Sequence, residues 1–196
     1  MAFFERLRQI EESAEHIVVL AGPVSYLLAS DAFGETLEEV LAESIPEGAA
    51  DHDRAQDIVR ELIPILRQRK ETWRARKPGL LNLISGAEID RFLRNGMVGR
   101  LDLPEAVLAE RRRRALGEAE HLIALMEEEP IGVQIGIVPG ALPHNSFQIF
   151  RQADRKVLTL SPFRLGEQPN VHSGIAMITS APEALGLHER TVEDMW

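Results

Sequence analysis

The chain has 196 residues, enough for one substantial core and short for two independent ones. Its 31 acidic and 22 basic residues give a net charge of -9, which repels phosphate backbones and makes the chain a poor ligand for duplex DNA. Cysteine is absent, which excludes disulfides, thiolate metal sites and a cysteine nucleophile, and fits a cytoplasmic protein.

In chain order, the N-terminal MAFFERLRQIEESAEHI runs into charge too early for a signal peptide. No apolar run approaches the roughly 20 residues that cross a bilayer. Phe4, Leu7, Ile10 and Ala14 recur at helical spacing and predict an amphipathic helix over 3–15. HIVVLA, 16–21, reads as a buried strand or as the continuation of that helix, and Gly22-Pro23 then breaks the chain. Residues 24–44 read as helix in two pieces divided near Phe33-Gly34. PEGAADHD is a loop from which Asp51 or Asp53 caps a long helix reaching about Arg76. Ile58, Val59, Leu62, Ile63, Leu66 and Trp73 form the apolar stripe of that helix, and Pro64 is expected to kink it.

GLLNLIS, 79–85, predicts a strand, followed by a short helix over 86–95 that stops at Asn95-Gly96. Pro104 suits the first position of a second long helix, 104–128, which Pro130 closes. Strands are expected at about 132–138, 146–151, 156–160 and 174–179, and a last helix from about 182. The fold class is α/β, with α+β as the alternative. A single domain over 1–196 has a helix-rich first half and a mostly β second half, forming one mixed sheet packed by helices.

Few groups suggest chemistry. Arg111-Arg112-Arg113-Arg114 is not a nucleic-acid patch, because successive helical residues turn by about 100° and scatter the four side chains round the axis. Leu108, Ala115, Leu122 and Met126 mark the apolar stripe, and Glu110 and Glu118 are spaced for surface pairing with Arg114. Arg111 falls within that stripe, so it must snorkel, meet a carboxylate, or line an interface or pocket. The histidines at 16, 52, 121, 144, 172 and 188 lack metal-site spacing. Gly132 and Gly136, inside an apolar run with no following helix, signal a bulge or a close backbone approach. Ser146, His144 and Asp154 are near in sequence, but strands of alternating direction would scatter them. The loop GALPHN joins two strands, leaving His144 and Asn145 as loop residues at the rim of a cavity. Tyr26 and Trp73 are wall candidates because each joins an apolar ring to a polar tip.

The order of these pieces resembles the C-terminal effector domain that follows an Xre-type helix-turn-helix in actinobacterial regulators of the antitoxin-like, WhiJ-type group. VVLAGPVSYLLASDAF is similar to a segment containing a VPGLLQT-like run, and ILRQRKETW to an LRxxRQ-like stretch. GLLNLIS and GAEIDRFLRNG are similar to an apolar strand and an EAALRR helix. GEAEHLIALMEEEPIGVQIGIVP and GALPHNSFQIF resemble the helix, strand and hairpin that follow. Gly22-Pro23-Val24 stands where the family has Pro-Gly-Leu, and His144 is displaced from the family histidine. The resemblance implies a sensing and association module of a transcriptional regulator, which binds a small molecule or small partner protein and forms a homodimer. It implies no enzyme, cofactor or metal, and no DNA-binding domain in this chain. The alternatives are an enzyme of unknown type with a pocket near His144, or a pure dimerisation domain. The expected binding residues are His144, Asn145, Arg111, Tyr26 and Trp73, with none catalytic.

Overall fold

The computed structural model describes residues 2–128, 131–139, 146–166, 168–171 and 173–196. Helix α1 (Ala2–Glu11) leads into strand β1 (Ala14–Leu20), then α2 (Asp31–Glu43), α3 (His52–Arg76) and β2 (Gly79–Ser85). Next come α4 (Gly86–Asn95), α5 (Glu105–Glu128), β3 (Val133–Val138), β4 (Ser146–Gln152), β5 (Lys156–Ser161), β6 (Met177–Thr179) and α6 (Pro182–Met195). The six strands form one sheet in the order β3-β2-β1-β4-β5-β6. β1, β2 and β3 run parallel, whereas β4 pairs antiparallel with β1, β5 antiparallel with β4 and β6 antiparallel with β5. This is an α/β fold with helices packed on a mixed sheet.

The apolar run of β1 follows from its place in mid-sheet, where both faces are buried and alternation disappears. Ile17 and Val19 join the core under α1 to α5, while Val18 and Leu20 join a second, smaller core under α6. That position also decides between strand and helix for HIVVLA: β1 pairs with both β2 and β4.

The segment 24–30 is turn rather than helix, so only the second of the two expected pieces forms. Ser30 starts α2 by accepting the Phe33 amide on its side chain, and its extended backbone cannot continue a helix from the N-terminal side. Gly34 lies inside α2 and does not divide it. Asp51 occupies the cap position of α3, but its side chain makes no capping bond. α3 runs through Pro64 to a left-handed Lys77. Pro104 sits just before α5, its carbonyl accepting the amides of Val107 and Leu108. β6 is shorter than expected, beginning at Met177. At Gly136 the reason for glycine is close approach: a Cβ there would lie 2.7 Å from Leu83 and 2.9 Å from the Trp196 ring.

Candidate functional site

Paired residues in neighbouring strands point to the same face. The register sets Ile135, Asn82, Val19, Gln148, Thr159 and Ile178 in one row across the sheet, on the face covered by α1 to α5. Three of the four inner members are polar, in strands whose other residues on this face are mostly apolar. A cavity of about 80 Å³ opens over this row. Val19, Gln148 and Thr159 form its floor, Phe4 of α1 and Phe163 its aromatic wall, and Ser25 and Tyr26, from the turns after β1, its far side. The rings of Phe3, Phe4 and Phe163 pack together at centroid distances of 5.5 to 5.6 Å.

Burying a polar group without a partner costs stability. Gln148 Oε1 is shielded from solvent and has no hydrogen-bond partner in the structure. The hydroxyls of Ser25 and Thr159, on residues 6 % and 1 % exposed, make no hydrogen bond among those the structure records. In the same row, Asn82 is fully buried with both amide atoms unpartnered. No carboxylate occurs among the described lining residues, although two arginines, Arg69 and Arg164, do.

Arg69 reaches the cavity from α3 because Glu11, at the end of α1, holds its guanidinium at 2.7 and 2.8 Å in a two-pronged pair. Both side chains are nearly fully buried. Arg76 adds a bond to the Glu11 carbonyl, so the α1 terminus is fixed to α3 by backbone as well as side chain.

Tyr26 separates this cavity from a second, charged groove of about 330 Å³ between α2 and α3, lined also by Asp31, Gly34, Glu35, Arg67, Lys70, Glu71 and Arg74. Lys70 Nζ donates to the Ser30 carbonyl at 2.9 Å and to Asp31 at 3.0 Å, and lies 5.7 Å from the Tyr26 ring centre. Hydrogen bonds from Arg74 and Lys70 hold the Asp31 carboxyl down to about 2. Burial pushes Lys70 down and the Tyr26 phenol up from their ordinary values. The turn segment that walls the cavity is also tied to α5. Glu118 accepts from Ser30 N and Oγ at 2.9 and 2.5 Å, and His121 Nε2 bonds the Leu28 carbonyl at 3.0 Å. Glu118 is therefore buried under α2 and does not pair with Arg114 on the surface; Arg114 takes Glu110 instead.

Of the residues expected from sequence, Tyr26 lines the cavity. Trp73 does not: it borders a separate small crevice with Glu11, Leu27 and Pro78, and its indole nitrogen is buried without a partner. Arg111 stands on the far side of α2, buried, with Glu43 at 2.6 Å and Glu39 at 3.1 Å. His144 and Asn145 lie outside the described residues, as does Pro130. Ser146 lies at the cavity mouth on β4, and Asp154 beyond the other end of that strand. Sequence reasoning missed Ser25, Arg69, Gln148, Thr159 and Phe163. Gln148 and Asn82 did carry a signal, as polar residues at inward positions of apolar strands.

Among the described residues no group of three or more His, Asp or Glu is placed to hold a metal ion, and no helix is long and apolar enough to cross a membrane. In comparisons with protein-family models, curated proteins and solved structures, the chain has no match.

Proposed function

We propose that the chain is a sensing module of a transcriptional regulator that binds a small molecule in the cavity over Gln148. One observation carries the reading: a buried, unpartnered Gln148 Oε1 in the floor of a cavity that Ser25 and Thr159 also line. A ligand that donates to Gln148 and lays an apolar face against Phe4 and Phe163 satisfies the polar floor and the aromatic wall together. The size limits it. The cavity's 80 Å³ is about half the roughly 150 Å³ of an apolar cavity that holds benzene, so it takes a few non-hydrogen atoms or the head of a longer molecule. Arg164 and the lack of lining carboxylates favour a neutral or anionic head, the charge of Arg69 being already matched by Glu11. No histidine, lysine or carboxylate is among the described lining residues to activate Ser25, Ser146 or Ser161, which fits binding without bond-making. The order of elements, similar to that of regulator effector domains, supplies the regulatory context.

Melting temperature measured across a panel of small neutral and anionic metabolites tests this. A ligand present at about a hundred times its Kd stabilises by about 2.7 kcal/mol. That raises Tm by about 5–10 °C for a chain of this size. The same ligand should fail to stabilise Gln148→Leu. A panel that leaves wild type unmoved, or a shift that survives in Gln148→Leu, contradicts the proposal.

A further inference from the structure

The polar groups of the cavity over Gln148 stand at two depths. Across β4 and β5, Ser146 pairs with Ser161 and Gln148 with Thr159, two residues apart on the same face. At about 3.4 Å per residue, the pair at the mouth and the pair at the floor are about 7 Å apart along the strands. The two levels need different partners. At the floor, Gln148 Oε1 is a buried acceptor without a donor. At the mouth the groups are donors. Ser161 Oγ accepts the Phe163 amide at 3.0 Å, which leaves its own proton to give. Arg164 lines the same cavity and is exposed, so it stands at the open end. It takes part in no ion pair among those recorded for the described residues. Its backbone is held by a two-way bridge to Asn170 at 2.9 and 3.0 Å.

We infer that the ligand of this cavity is a short hydroxycarboxylic acid, its hydroxyl donating to Gln148 Oε1 and its carboxylate held by Arg164 and Ser161. The inference rests on the sensing role proposed above and adds the ligand's chemistry to it. Arg164 selects the carboxylate, because a planar guanidinium meets one with two parallel hydrogen bonds. The other lining arginine, Arg69, is already matched by Glu11, which leaves Arg164 as the uncompensated charge. The donor at the floor is uncharged. An ammonium there would be buried with no carboxylate among the described lining residues, and an unpaired buried charge is costly. A hydroxyl meets the need, which sets hydroxy acids above amino acids. Phe4 and Phe163 flank the space between the two levels, so the linking carbons are apolar. The cavity's 80 Å³ admits roughly three or four non-hydrogen atoms, against the six of benzene in about 150 Å³. The carbon chain and hydroxyl of 3-hydroxybutyrate match that size, with the carboxylate left in the mouth.

Calorimetric titration of the whole chain with four compounds of one size tests the inference. They are 3-hydroxybutyrate, butyrate without the hydroxyl, 3-hydroxybutyramide without the charge, and 3-aminobutyrate with an ammonium for the hydroxyl. The hydroxy acid should bind tightest and each of the others about tenfold or more weakly, since each lacks a bond to a charged or buried group. Arg164→Gln leaves the backbone bridge to Asn170 in place. It should bind the acid and the amide alike, while still preferring both to butyrate. An amide that binds wild type as tightly as the acid overturns the inference, as does an acid preference that survives Arg164→Gln. In either case binding that is lost in Gln148→Leu keeps the sensing role intact. If none of the four binds while the metabolite panel yields another ligand that Gln148→Leu abolishes, the ligand class is wrong and the sensing role stands. If the panel yields none either, the sensing role falls with it.

Discussion

Replacing Arg111 by alanine removes the cation that bridges Glu43, at 2.6 Å, and Glu39, at 3.1 Å, and leaves Glu39 with a looser contact to Arg114 at 3.8 Å. Breaking a buried pair by deleting one partner costs about 3–5 kcal/mol. The full figure does not apply here, because the surviving carboxylates are unequally exposed: the Glu43 side chain is 21 % exposed and the Glu39 side chain 59 %. Glu39 rehydrates readily, whereas Glu43 keeps only a long contact from the Gly99 amide, at 3.3 Å. The cost should fall below that range, at about 2–3 kcal/mol including lost packing of the arginine stem. In a chain of this size that lowers Tm by about 4–12 °C. Arg111 Nη1 is buried with no partner, so the native arrangement already contains an unsatisfied donor. Arg111→Met, which keeps the volume and removes that donor, should therefore cost less than Arg111→Ala. Urea unfolding of both variants beside Arg113→Ala decides the matter, since the Arg113 side chain is 70 % exposed and should shift stability by no more than about 0.5 kcal/mol. If Arg111→Ala unfolds at the same urea concentration as Arg113→Ala, the pair is not holding α2 to α5.

Glu11→Ala should cost about 3–5 kcal/mol in urea unfolding, because it leaves the buried Arg69 guanidinium unpaired. Glu12→Ala, which removes an exposed pairing with Arg8, should cost under about 1 kcal/mol. Asp31 titrates about 2 when folded against an ordinary 3.8, so its contribution is complete above about pH 4 and is lost as pH falls towards 2. Asp31→Asn should flatten the stability profile across that window, by a small amount because the carboxylate is 73 % exposed. A wild-type profile that the substitution leaves unchanged between pH 4 and 2 contradicts the Lys70–Asp31–Arg74 arrangement. The chain alone should show no sequence-selective duplex binding in a low-salt gel shift, in keeping with its charge of -9.

Much of the fold was legible in the sequence because burial imposes periods. β2, α4 and α6 begin within about a residue of the positions their apolar spacing and glycine or proline punctuation gave. Arg111 was also legible, since a cation inside an apolar stripe has few places to go. Residues 24–30 were not: their spacing suits a helix, but Ser30 and Leu28 are held by side chains far along the chain, and such bonds leave no local pattern. Glu118 misled for the same reason, with Ser30 eighty-eight positions away outcompeting Arg114. The cavity was the least legible feature. Its floor depends on β4 lying beside β1, and this adjacency of the row Val19–Gln148–Thr159 cannot be read from either strand alone.

The central claim is that the floor of the cavity awaits a ligand. The most direct measurement is the side-chain amide resonance of Gln148 in isotope-labelled protein, assigned by Gln148→Leu and followed while a stabilising small molecule is added. Binding as proposed shifts that resonance together with the backbone amides of Ser25, Thr159 and Phe163, and saturates with the Kd seen by melting temperature. A ligand that stabilises the protein while those four signals stay fixed binds elsewhere, and contradicts the account.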